Sequence, residues 1–96
     1  MNRREISFRA KLAIAEVLGT KVVRIDERHE FRADLGADSL DMVELTARLE
    51  EEFKVRVSDD EAAFCETVGT AIDLIENKLE HQARPIVPAR AWGGAR

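Results

Sequence analysis

Ninety-six residues with 45% hydrophobic side chains, one cysteine and a net charge of −4 specify one domain with a single modest core. That size excludes a deep cleft lined by several catalytic groups, and the cysteine count excludes an internal disulfide or a cysteine-based metal site. No apolar run is long enough to span a bilayer, and none follows Arg3 and Arg4 as a secretory signal requires, so the expected setting is cytoplasmic.

In chain order, Ile6, Ala10, Ala13, Ile14, Val17 and Leu18 follow the spacing of one buried stripe. They predict a first helix from about Glu5 to Leu18, with Gly19 as its stop. Residues 20–38 hold no long periodic segment. Val23, Ile25, Phe31 and Leu35 are expected to pin this stretch over the core, and a long structured loop in so small a domain points to function. A second helix is predicted from Ser39 to a stop near Lys54. Its apolar surface (Leu40, Val43, Leu45, Ala47, Leu49, Phe53) is wider than one stripe, which leaves part of it to a partner. Asp59 to about Glu66 predicts a short helix capped by Ser58 or Asp59. Thr67 is the expected cap of a last helix with Val68, Ala71, Ile72, Ile75 and Leu79 inward. The fold expected is all-α, an antiparallel four-helix bundle with a long loop between helices one and two. It occupies residues 1–81; residues 82–96, with two prolines, three arginines and no acid, read as a flexible basic tail.

The charge is concentrated. Residues 34–66 carry eleven acids against three bases, or −8, whereas residues 1–33 sum to +3 and residues 67–96 to +1. An acidic surface of this kind repels nucleic acid and anionic lipid and attracts basic protein surfaces. This acidic segment opens with DLGADSLDMVEL, Asp34 to Leu45. Ser39 stands there where loop turns into helix, with carboxylates on both sides and no His or Lys nearby to act as a base. It therefore reads as a hydroxyl that another enzyme modifies and not as a nucleophile; the competing role is a plain N-cap. Gly36 permits the tight turn that presents it. His29 and His81 are too isolated for a metal or acid–base site, and the acids lack the ligand order of a calcium loop. No catalytic and no metal-binding residue is assigned.

DLGADSLDMVEL, continuing through EEEF to TVGTAIDLI, resembles the acyl carrier proteins of bacterial fatty acid and polyketide synthesis, over about Ile6 to Leu79. The resemblance implies a non-enzymatic carrier whose motif serine, Ser39 here, bears a covalent 4′-phosphopantetheine arm. The arm's thiol holds acyl groups as thioesters and presents them to successive enzymes. It implies as partners a phosphopantetheinyl transferase that uses coenzyme A, and acyl-processing synthases and transferases with basic docking surfaces. Neither nucleic acid binding nor membrane insertion is expected of it, and the chain is expected to be a monomer. Asp38, Asp41 and Glu44 would flank the arm, Glu51 and Glu52 would extend the charge, and Leu40, Val43 and Ala47 would form the partner-facing side. In this family the acyl chain is thought to shelter between helices, where Ala47, Cys65 and Ala71 would leave space. Ser58 in place of the usual proline, Phe64 and Cys65 in the third helix, and the basic tail depart from the family pattern. These departures keep a carrier dedicated to one polyketide, unusual lipid or aminoacyl pathway open as an alternative, beside an unmodified acidic adaptor.

Overall fold

The computed structural model describes residues 1–83. Their regular elements are four α-helices, α1 (Arg3–Leu18), α2 (Ser39–Phe53), α3 (Asp59–Ala63) and α4 (Val68–Ala83), with a 3₁₀ turn at Val22–Arg24. α1 begins two residues earlier than its apolar spacing predicts, because Asn2 supplies the cap: its side chain accepts the Glu5 N–H at 2.8 Å. α4 runs two residues past the boundary expected at His81. The segment expected to be a flexible tail otherwise lies outside the described residues.

Ile6, Ala10, Ala13 and Ile14 of α1, Leu45, Leu49 and Phe53 of α2, and Val68, Ala71, Ile72 and Ile75 of α4 form one buried cluster. Ion pairs between the helices show their directions. Arg9 reaches Glu52 at 2.8 Å and Arg48 pairs with Glu16, so α1 and α2 run antiparallel. Arg3 bonds Glu76 at 2.9 Å, while Ser7 meets Glu27, whose carbonyl takes the Gly69 N–H; α1 and α4 are antiparallel too.

The long loop is bound into the bundle. Phe31 is its largest buried side chain, 1% exposed, a burial that stabilises by about 1.5–3 kcal/mol. Backbone bonds from Phe31 N to Glu66 O, Val68 N to His29 O and Gly69 N to Glu27 O (2.8–3.0 Å) tie the loop to the head of α4. A Cβ on Gly69 would stand 3.0 Å from the Glu27 carbonyl oxygen, so this close approach depends on glycine. Ile25, Phe31 and Leu35 pack inward as anticipated, but Val23 does not: it is 85% exposed, and Val22 packs on the core instead. The 3₁₀ turn rotates successive side chains by about a third of a circle, so the inward residue falls one position earlier. α3 is also shorter than anticipated. It stops at Ala63 because the backbone around Glu66 and Thr67 pairs with the loop, Thr67 bridging Glu30.

Candidate functional site

Residues 36–41 turn the loop into α2. Gly36 has φ +72°, the left-handed region that glycine enters without penalty. Ala37 next to it is buried, its N–H donating to Phe31 O at 2.8 Å. Asp38 then caps the helix. Its Oδ1 accepts the Asp41 N–H at 2.8 Å and Asp41 Oδ2 accepts the Asp38 N–H at 3.1 Å, a reciprocal capping box. Capping thus falls to Asp38, and Ser39 is the first helical residue, exposed to solvent. The first helical bond runs from Met42 N to Asp38 O. The Ser39 and Leu40 amides therefore face out of the helix end, where an anion is favoured.

Ser39 lies on a groove between α2 and α3 of about 730 Å³. Its apolar lining comes from Phe31, Met42, Val43, Thr46, Ala62 and Cys65, its charged lining from Glu30, Arg32, Glu50, Asp59 and Glu66. No His or Lys is among these residues, so the groove offers the Ser39 hydroxyl neither an imidazole nor an amine. Arg32 was not singled out by sequence, because it stands in a loop where no periodicity marks it. Glu50 holds the far wall by accepting the Val57 N–H at 2.7 Å. Deeper in, the interior is nearly closed. Met42, Leu45, Leu49, Ala71 and Ile75 surround a void of only about 20 Å³, room for about one water and far too little for an acyl chain. Of the three residues expected to leave space between helices, Ala71 and Cys65 do line this void. Ala47 does not; it is exposed and lines the larger groove between α2 and α3 instead.

The docking residues anticipated on α2 divide into two sets. Leu40, Val43, Glu44, Ala47 and Glu51 fall on one exposed stripe, at the spacing of a single helix face. Leu40 is 74% and Val43 67% exposed, two neighbouring apolar side chains that take no part in the core. Asp38 stands at the head of this stripe. The Asp41 carboxylate is engaged in the capping box, and Glu52 lies round the helix, held by Arg9 at 2.8 Å. These two serve the helix end and the α1–α2 contact. Phe64, at the end of α3, is 81% exposed.

Cys65 donates its thiol to Glu61 O at 3.4 Å, and burial pushes its pKa up. It is a protonated, half-buried wall residue at neutral pH. His29 Nδ1 accepts the Asp26 N–H, and His81 contacts Asn77 O. No group of acids, histidines and cysteines suited to a metal ion occurs among the described residues.

The family profile described as "Phosphopantetheine attachment site" matches residues 10–75. Among solved structures, an acyl carrier protein from Enterococcus faecalis matches with a TM-score of 0.68 and 31% sequence identity, over 81% of this chain and 99% of that one.

Proposed function

The chain belongs to the phosphopantetheine-attachment family and has the helical fold of an acyl carrier protein, and on that footing we propose that Ser39 is its attachment residue. Proteins of this family carry and do not catalyse, and they meet a phosphopantetheinyl transferase and acyl-processing enzymes. The observation that carries the assignment is the position of the Ser39 hydroxyl: exposed, relieved of capping by Asp38, and beside two outward amides. A phosphodiester formed there would be met by those amides and by the positive end of the α2 dipole. The arm would supply a thiol on which an acyl group is held as a thioester. The chain's own residues present the ester, turn partners toward it and leave the bond-making to them.

The exposed stripe of α2 is the docking face of this reading. Leu40, Val43 and Ala47 give a small apolar centre, and Asp38, Glu44 and Glu51 a charged border for basic enzymes. Border charges accelerate encounter more than they tighten the final complex, which suits a carrier that leaves each enzyme after one step. The groove between α2 and α3 is the shelter closest to Ser39, and its mixed lining suits the arm and the first part of a cargo. Service in cytoplasmic fatty acid or related lipid and polyketide synthesis accords with the Asp-Ser-Leu-Asp-x-Val-Glu-Leu run at residues 38–45.

The test is intact mass after incubation with a phosphopantetheinyl transferase and coenzyme A. One phosphopantetheine should add to the chain, and Ser39→Ala should abolish the gain while leaving the helical signal unchanged. An alanine variant that is still modified would refute the assignment. A native chain that gains nothing would indicate the unmodified adaptor.

A further inference from the structure

The outward face of α1 carries Arg4, Phe8, Lys11 and Leu12 at the spacing of one helical stripe, opposite the buried Ile6, Ala10 and Ala13. Phe8 is 55% and Leu12 44% exposed. Neither Arg4 nor Lys11 forms an ion pair among the described residues. A lone exposed apolar side chain is ordinary. Two of them beside two unpaired cations make a small amphipathic surface.

The outward face of α2 has the opposite charge and a matching layout. Leu40, Val43 and Ala47 are exposed in one stripe with Glu44 and Glu51, and neither of these acids forms an ion pair among the described residues. Arg4 and Lys11 are seven residues apart, and so are Glu44 and Glu51, a separation of about 10 Å along a helix. Laid antiparallel with Arg4 level with Glu51, the two stripes match in turn. Phe8 comes level with Ala47, Lys11 with Glu44 and Leu12 with Val43. A large ring is set against a small methyl group, and each cation against an acid. The parallel alignment of the same charges fails, because it sets Phe8 against Arg48. Beside Ala47, a depression of about 530 Å³ bordered by Glu44, Arg48 and Glu51 offers room for the ring, and Arg48 is already paired with Glu16. Both stripes face away from the core that α1 and α2 share, so they cannot meet within one chain.

We propose that α1 of one molecule docks antiparallel on α2 of a second copy, a heterologous contact between unlike faces. The contact centres on Phe8 and Ala47 and covers the α2 stripe as far as Val43, about one turn from Ser39. A paired chain therefore withholds the face that the proposed function offers to enzymes, and an enzyme that binds this face more tightly releases it by mass action. The net charge of −4 on each copy opposes the approach and makes the association weak. The inference uses the α2 stripe but not the identity of the attachment residue, so its failure would leave the Ser39 assignment standing.

The experiment is sedimentation velocity of the full chain over a range of concentrations. Roughly 0.15 M salt sets the screening length at about 8 Å, which damps the overall repulsion and spares charges in contact. The average mass should rise with concentration. Arg4→Glu with Lys11→Glu should hold the chain monomeric, and so should Glu44→Lys with Glu51→Lys. The second pair brings the net charge to zero, −4 plus 4, so overall repulsion cannot explain its effect. The two variants mixed should associate again, since each supplies the sign that the other's faces lack. Phe8→Ala should weaken pairing severalfold. None of these side chains belongs to the core, and circular dichroism checks that each variant folds. A monomer at every concentration up to about 1 mM, association indifferent to either pair of substitutions, or mixed variants that stay apart would overturn the proposal. The first of these results would leave the α1 face to a different, acidic partner.

Discussion

Two aspartates and a serine at the head of α2 divide the work. Asp38 and Asp41 satisfy each other's backbone amides, and the serine between them is left exposed with no structural duty. Sequence spacing made Ser39 conspicuous but left its capping role open, since serine and aspartate are both good caps and stand side by side. Only the hydrogen bonds separate them. A second residue of consequence was invisible in the pattern. Arg3 joins Glu27 of the loop to Asp73 and Glu76 of α4, three carboxylates scattered through the chain. The Arg3 guanidinium is the main reason why the Glu27 carboxyl lies below its ordinary value of 4.5. A lowered carboxyl pKa contributes stability that is present above 4.5 and lost as pH falls through the folded-state value. These groups are partly exposed, and such pairs give about 0.2–1 kcal/mol each. Arg3→Met should therefore cost about 1 kcal/mol at neutral pH, and thermal melts of the two proteins should converge in acid. A gap that stayed constant down to low pH would show that the loss is one of packing.

Among the elements, α1, α2 and α4 were legible because each buries a stripe at helical spacing. α3 was legible only at its start. Its capping box is local in sequence, Ser58 N–H to Glu61 at 2.9 Å and Glu61 N–H to Ser58 at 3.1 Å. Its end is decided by the distant loop that pairs with Glu66 and Thr67, which no window of neighbouring residues contains. Val23 failed for a related reason, because a single 3₁₀ turn sets which of two adjacent valines faces inward. The consequence for function lies in α3. It has five residues and none is buried; among the described residues one ion pair, Lys78–Glu61 at 2.9 Å, fastens it to α4. Local opening is easiest where apolar contact is least. The Ala62, Phe64 and Cys65 amides should exchange with solvent well before those of α1 and α4. Ser58→Ala, which removes a cap worth about 1 kcal/mol, should speed them roughly fivefold while barely moving the global melt. Equal protection across α3 and α4 would mean that this groove wall does not move by itself.

The charge of the molecule is unevenly divided, with eleven acids against three bases in residues 34–66, which include α2 and α3, and a net +3 in residues 1–33, which include α1. That partition could be counted from sequence; its arrangement in space could not, because it depends on α1 and α2 being antiparallel. Like charges within residues 34–66 repel across the folded surface. Raising ionic strength from low to physiological shortens the screening length to about 8 Å and should raise the melting temperature by several degrees, since about 1 kcal/mol shifts a domain of this size by roughly 4–8 °C. Identical melts at both salt concentrations would remove the repulsion from consideration. All of the functional reading depends on the hydroxyl at the acidic end. Its most direct examination is the intact mass of the chain purified from its own cells with thioesters preserved, followed by fragmentation to locate any added group. The predicted result is one phosphopantetheine on Ser39, with or without an acyl group; a chain that is uniformly bare, or modified at another residue, would contradict it.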